Sequence, residues 1–224
     1  MIRVRVDDFP QTRGEPQHTL EAFRGFHREL SALLGGRRYL LGVIPGRCTV
    51  DDLLMLSRET DCVIGMHGTD HDETRLDRNG GNQFESFLSN SQVAGQLEEH
   101  RLALEATVGR RIRVYMPPRN VIDWRTIRML SGSGFEWFTS GPETPFKLRD
   151  YFGDICIHSE APVEYGRCDE LLQREAHLRM MEKSDRGHDV VLTLHWTWET
   201  NIGLQHMRGF LSQIPQRYFG DFDA

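Results

Sequence analysis

Lysine is nearly missing from this chain: Lys147 and Lys183 stand alone among 27 basic residues, the rest being Arg. A compositional bias of the genome accounts for that without any functional meaning. No apolar run approaches the roughly 18 residues that a membrane helix needs, so no membrane span is expected. The amino terminus has no charged start leading into a long apolar region and a small-residue cleavage site. No signal peptide is therefore read, and with Met1 as the true start the expected location is cytoplasmic. The four cysteines, Cys48, Cys62, Cys156 and Cys168, show no C-x-x-C spacing. They read as reduced thiols rather than as a zinc knuckle or a disulfide frame. Excess positive charge is absent too: the net charge of -6 argues against a general nucleic-acid binder. Internal repeats and low-complexity linkers are also missing.

What remains is an ordinary globular composition, 38% hydrophobic and 27% charged over 224 residues. That length supports one good-sized core, and a single domain over 1–224 is the simplest count. Ile2, Val4 and Val6 alternate with Arg3, Arg5 and Asp7, the period of a strand. Thr19 is placed to cap a helix carrying Leu20, Phe23, Phe26, Leu30, Leu33 and Leu34, closed by Gly35-Gly36. Tyr39-Ile44 and Cys62-Met66 read as strands two and three, separated by a helix capped by Thr49. After a long polar segment from Asp72 to about Ser91, a helix runs to Val108 and stops at Gly109. Ile112-Met116, Phe135-Thr139, Ile155-Ile157 and Val190-Leu194 complete seven strands, with helices from Asp123 to Leu130, through Leu171-Met181 and over Leu204-Leu211. This alternation predicts an α/β fold with a parallel sheet, as a closed or nearly closed barrel. A doubly wound open sheet is the competing architecture.

Polar residues gather where the strands end. Asp7-Asp8 end strand one, His67 ends strand three, and Arg119-Asn120 follow strand four. Ser140 ends strand five, His158 and Glu160 follow strand six, and His195 ends strand seven. In parallel barrels the carboxyl ends of all strands open on one face, so residues scattered in sequence converge there. His67 and His71 stand four apart, a spacing that in a helical turn presents both imidazoles to one metal ion. Gly68 takes the place of the Glu in H-E-x-x-H, so this is not the zinc-protease motif. Two His and one carboxylate make a facial triad with open positions for a divalent ion. One Asp of the pair can be the ligand while the other stays free as a base. Adjacent strand residues point to opposite sides, so a bend after Val6 is needed to bring both inward. Either piece alone is commonplace, since Asp-Asp is usually a solvated turn and an H-x-x-x-H a surface accident.

These residues resemble the polysaccharide deacetylases of the NodB-homology type, carbohydrate esterase family 4, in motif order across essentially the whole chain. The resemblance rests on Asp7-Asp8, on His67 and His71, and on Leu192-Thr193-Leu194-His195. It implies a distorted (β/α)7 barrel, with Asp7 as catalytic base, Asp8, His67 and His71 as metal ligands, and His195 as the acid. The implied cofactor is one divalent ion, Zn ahead of Co, Mn, Ni or Fe. The chain departs from the pattern in two places. Phe9-Pro10 stand where Gly usually follows the two Asp, and Met116-Pro117-Pro118-Arg119 lacks the leading Arg and the aromatic residue of the third motif. Arg119 could reach back to support Asp7, and so could Arg5, which shares a strand face with it. Asp123-Trp124 and Trp137 are only loose matches to the fourth motif.

The implied reaction is hydrolysis of an amide, most often an N-acetyl group on an amino sugar. Without an export signal, a nucleotide-linked or lipid-linked sugar of surface polysaccharide (O-antigen or capsule) assembly is the expected substrate. Arg13, Arg75 and Arg78 are candidate phosphate contacts. The partners expected are therefore a small-molecule or glycan substrate, and no nucleic acid. Two rivals stand beside this reading: a deformylase or amidohydrolase on a non-sugar substrate, and a barrel that binds glycan without catalysis.

Overall fold

The computed structural model describes residues 1–12, 19–71, 89–118, 124–139, 156–158, 163–164 and 170–222. Arg119, Asn120, Asp123, Ser140, Glu160, Arg13, Arg75 and Arg78 lie outside these, as do the side chains of Trp124 and His158. So does most of the long polar segment after His71.

Eight strands form one sheet among the described residues: β1 Ile2–Phe9, β2 Leu40–Val43, β3 Val63–His67, β4 Val114–Met116, β5 Trp137–Thr139, β6 Cys156–His158, β7 Val163–Glu164 and β8 Val190–His195. Their order is β6-β5-β4-β3-β2-β1-β8-β7, and every pairing is parallel. The result is the distorted α/β barrel expected. Seven strands are legible in the sequence; the eighth, β7, has two residues, too few to display a period. The helices are α1 Leu20–Leu33, α2 Val50–Glu59, α3 Asn90–Val108, α4 Trp124–Leu130, α5 Glu170–Asp185, α6 Trp196–Ile202 and α7 Leu204–Leu211. Among the described residues none is long and apolar enough to cross a membrane.

The helix ends follow local chemistry. Thr19 Oγ1 accepts from Ala22 N at 3.1 Å, and Thr49 and Asp52 form a reciprocal capping box that opens α2. Gly109, at φ 68, closes α3 in a left-handed conformation that favours glycine. Helix α6 was not expected: it starts directly at the end of β8, and His195 at its N-cap makes no capping bond that would have marked it.

Two cores divide the sheet by face. In a parallel sheet, residues paired in register point the same way. Ile2, Val4, Val6, Leu41, Val43, Ile64, Met66, Tyr115, Leu192 and Leu194 lie on one face and pack against the helices in the main core. The opposite, inner face carries Leu40, Val114 and Met116, joined by Phe222 in a second, smaller cluster. Glycine is required at two inner positions. A Cβ on Gly42 would come within 2.7 Å of Met116 Cε, and one on Gly65 within 2.9 Å of Met116 Sδ. Met116 occupies the space both glycines leave. The registers Asp7↔His195, Arg5↔Thr193 and His67↔Met116 set Arg5, Asp7, His67, Thr193 and His195 on this same inner face. The apolar cluster and these polar residues thus share the inner face, with Leu40 in register with Arg5 and Met116 with His67.

Candidate metal centre

Strict alternation would send Asp7 inward and Asp8 outward. The strand avoids this with a bulge. Val6 pairs with Leu41 and Phe9 with Val43, so three steps along β1 match two along β2. Asp8 takes up the difference at φ 70, a left-handed conformation uncommon for a residue other than glycine. The expected bend after Val6 is therefore present. Its backbone is pinned on both sides. Trp196 Nε1 donates to the Asp8 carbonyl at 3.2 Å, and Ile44 N donates to the Phe9 carbonyl at 2.7 Å. Phe9, standing where Gly was expected, is fully buried against Phe23 and Trp196, with ring centroids 4.6 and 6.1 Å away.

Around Asp8 three imidazoles converge. His67 Nε2 lies 3.0 Å from Asp8 Oδ1, His71 Nε2 3.5 Å from the same oxygen, and His195 Nε2 3.8 Å from Oδ2. Ligand atoms of Asp8, His67 and His71 all fall within 4.8 Å of one another, close enough to hold one ion. The His67–His71 segment is not the helical turn that the spacing suggested. His67 ends β3, Gly68 has φ 67 and His71 φ 51, and these left-handed steps turn the chain back so that both rings face Asp8.

The donor chemistry fits a cation. His67 Nδ1–H donates to the Met116 carbonyl at 3.1 Å, which leaves the Nε2 lone pair facing Asp8. Burial pushes the His71 imidazole down to about 4; the neighbouring His67 and Arg47 act in the same direction and Asp8 opposes them. That ring is neutral at pH 7. Burial alone would raise the Asp8 carboxyl, but the surrounding imidazoles of His67, His195 and His71 hold it well below the usual carboxylate range. Lone pairs from one carboxylate and two imidazole rings thus meet in a space shielded from water. A divalent ion is the species that such a set accommodates.

Asp7 stands beside this group with a different partner. Arg5 Nε donates to its Oδ1 and Arg5 Nη2 to its Oδ2, both at 2.6 Å, in a bidentate fork. Arg5 is fully buried, and its Nη1 reaches the Thr139 carbonyl at 3.3 Å. Burial would raise the Asp7 carboxyl; the Arg5 charge and hydrogen bonds, aided by His67 and His195, overturn that and lower it. Of the two arginines that could support Asp7, Arg5 is in contact with it, from the same strand two residues away. His195, a quarter exposed, stands on the open side.

Three structural contributors were not foreseen: the Trp196 indole, the Met116 carbonyl and Arg47, which bonds the backbone beyond His67. The Met116 carbonyl leaves no trace in residue type, and the Trp196 indole acts on a backbone carbonyl that any residue at position 8 would carry. Arg47 was detectable only as a polar residue just beyond the end of β2, the one strand end in that series left without a candidate. A cavity of about 500 Å³ borders Arg47, between Pro10 and Gln11 on one side and Thr49 and Asp51 on the other.

No family profile matches the sequence, and no curated protein matches it. Solved structures do resemble it. The family 4 carbohydrate esterase (CE4) domain of a multidomain xylanase from the hindgut metagenome of Trinervitermes trinervoides superposes with a TM-score of 0.57 at 10% identity, covering 98% of this chain and 85% of that one. A polysaccharide deacetylase from Bacillus cereus gives 0.55 at 11% identity, covering 99% and 91%. A CE4 pseudoenzyme from Bacillus anthracis gives 0.55 at 14% identity, covering 99% and 63%. At such identities the likeness establishes the barrel fold. Because the same fold includes a pseudoenzyme, activity has to be judged from the side chains.

Proposed function

We propose that the chain is a metal-dependent amide hydrolase, an N-deacetylase acting on an N-acetylated amino sugar or sugar conjugate. The observation that carries this is the pairing of two sites on one bulge. Asp8 faces His67 and His71 as a ligand set, while its neighbour Asp7 is held apart by Arg5. A divalent ion, Zn ahead of Co, Mn, Ni or Fe, would polarise the acyl carbonyl and make water more acidic there.

The chain's own residues do the rest. Asp8, His67 and His71 hold the ion. Asp7 accepts a proton from the attacking water; Arg5 occupies about two of the roughly four acceptor positions of a carboxylate, leaving the others for this task. The same fork keeps Asp7 ionised and fixes its orientation. His195, on the open side of the group, donates a proton to the amine nitrogen as the C–N bond breaks. The products are a carboxylate and a free amine. The cavity beside Pro10 mixes the apolar surfaces of Pro10 and Leu20 with the polar Gln11, Arg47 and Asp51, a lining suited to a sugar with one hydroxylated and one C–H face. A place in surface-polysaccharide assembly, on a nucleotide-linked or lipid-linked sugar in the cytoplasm, completes the reading.

Metal analysis of the purified protein beside Asp8→Ala and His67→Ala tests it, together with acetate release from N-acetylated and formylated amino sugars and simple amides. Stoichiometric divalent ion in the wild type alone, with acetate release confined to sugar substrates, is the expected result. Equal metal in all three proteins would remove the site. Turnover of formamides alone would move the activity to the deformylase rival.

A further inference from the structure

His71 is a ligand held in a conformation that its backbone does not favour. At φ 51 it is one of two residues other than glycine in the left-handed region among those described, the other being Asp8. Such a conformation persists where surrounding contacts impose it. For Asp8 these are the Trp196 bond and the strand pairing on both sides of the bulge. For the turn from His67 to His71 they come from two directions. On one side the Met116 carbonyl accepts from both Gly68 N, at 3.2 Å, and His67 Nδ1. On the other stands the short 3-10 turn Pro45–Arg47 that follows β2.

That second contact is dense. Gly46 N donates to the Thr69 carbonyl at 2.7 Å, Arg47 Nε donates to the Asp70 carbonyl at 2.6 Å, and Arg47 Nη2 lies at a longer 3.5 Å from the His71 carbonyl. Three consecutive carbonyls leading to the ligand are therefore gripped by two adjacent residues. The fit leaves no slack at Gly46, where a Cβ would stand 2.8 Å from the Thr69 oxygen and 3.1 Å from Asp70 Cβ.

We propose that Arg47, seated by Gly46, is a positioning residue of the metal centre: its guanidinium holds the Asp70–His71 backbone so that the His71 ring faces Asp8. This rests on the ligand set proposed above but adds a residue that acts on the ion only through the backbone of its ligand. Arginine suits the task because a planar fork can address two successive carbonyls, whereas an ammonium is a single point donor. Residues that orient ligands from behind typically shift metal affinity by about 10–100-fold when removed.

The test measures Zn²⁺ and, separately, Co²⁺ binding by calorimetry on metal-stripped wild type, Arg47→Ala, Arg47→Lys and Gly46→Ala. Arg24→Ala, in α1 and paired with Glu59 at the end of α2 away from Arg47, serves as control. Amide hydrogen exchange of residues 67–71 is followed in the metal-free proteins. Arg47→Ala and Gly46→Ala should each weaken binding at least about tenfold and speed exchange in the turn, with far-UV spectra and control unchanged; Arg47→Lys should fall between. Unaltered affinity in Arg47→Ala and Gly46→Ala, or a loss equalled by Arg24→Ala, overturns the proposal. Should wild type bind no ion, the ligand set itself fails. Exchange then decides Arg47 alone, and an unchanged turn in Arg47→Ala overturns its positioning role too.

Discussion

Asp7, near the carboxyl end of β1, and Glu199, in the first turn of the helix α6 that follows β8, are both buried carboxyl groups, 3% and 0% exposed. Their states are opposite. Asp7 meets the two-pronged guanidinium of Arg5 and is lowered despite its burial. Among the described residues neither oxygen of Glu199 has a hydrogen-bond partner, and burial pushes it up to about 8. Depth is the same in both, so the partner decides the charge. Within this interior a carboxylate is kept ionised by an arginine two residues away. One without such a partner stays protonated near neutral pH and acts as a buried polar side chain with no evident task.

The contrast can be broken most severely at Asp7. Asp7→Asn keeps the shape, removes the proton acceptor and leaves the ligand set in place. Deacetylation should fall by about 10²–10⁴-fold with metal content unchanged, and a variant turning over like wild type would strip Asp7 of the base role. Glu199 gives the next effect, in stability. Its folded pKa of about 8 exceeds the ordinary glutamate value of 4.5, so the folded state binds the extra proton between those values. Stability from this group is therefore intact below pH 4.5 and declines as pH rises toward 8, by at most about 5 kcal/mol. Urea unfolding at pH 5 and pH 8 should show Glu199→Gln losing less stability than wild type over that interval; parallel curves would mean that Glu199 is ionised in the fold.

Arg5→Met strands the Asp7 charge and should lower unfolding free energy by about 3–5 kcal/mol, measured by urea at pH 7. Pairing it with Asp7→Leu should recover much of that loss while activity stays absent, because the stranded charge is gone but so is the base. Arg24 sharpens the same point by doing nothing. Its fork on Glu59 matches that of Arg5, at 2.6 and 2.7 Å, but lies on the surface. Arg24→Met should leave the melting temperature unchanged, since water and salt screen what the interior does not.

The strand-end residues were legible because the parallel fold makes one place out of many positions. Asp8, His67 and His71 needed only that rule to be placed together, and Thr19, Thr49 and Gly109 announced their helix ends by residue type. Arg5 and Arg119 were indistinguishable in sequence. Strand parity put Arg5 on the face of Asp7, but only the folded geometry shows the guanidinium lying flat against the carboxylate. The turn at His71 was misread as helical because a spacing of four is shared by a helix and by a left-handed return. Helix α6 lacked a cap to announce it, and β7 was too short to display a period. What escaped was held by backbone carbonyls, which every residue carries alike.

The bulge at Asp8 also has a bearing on how the chain tolerates insertion and deletion. A strand counts in twos, and the bulge is a single miscount that lets two neighbours face one way. The chemistry of the rim therefore depends on parity. Removing either residue between Val6 and Phe9, Asp7 or Asp8, would restore regular counting and leave one inward carboxylate where the bulge presents two. Length changes in the polar segments between strands leave the count untouched, so variation can accumulate there while this stretch of β1 is confined to substitution.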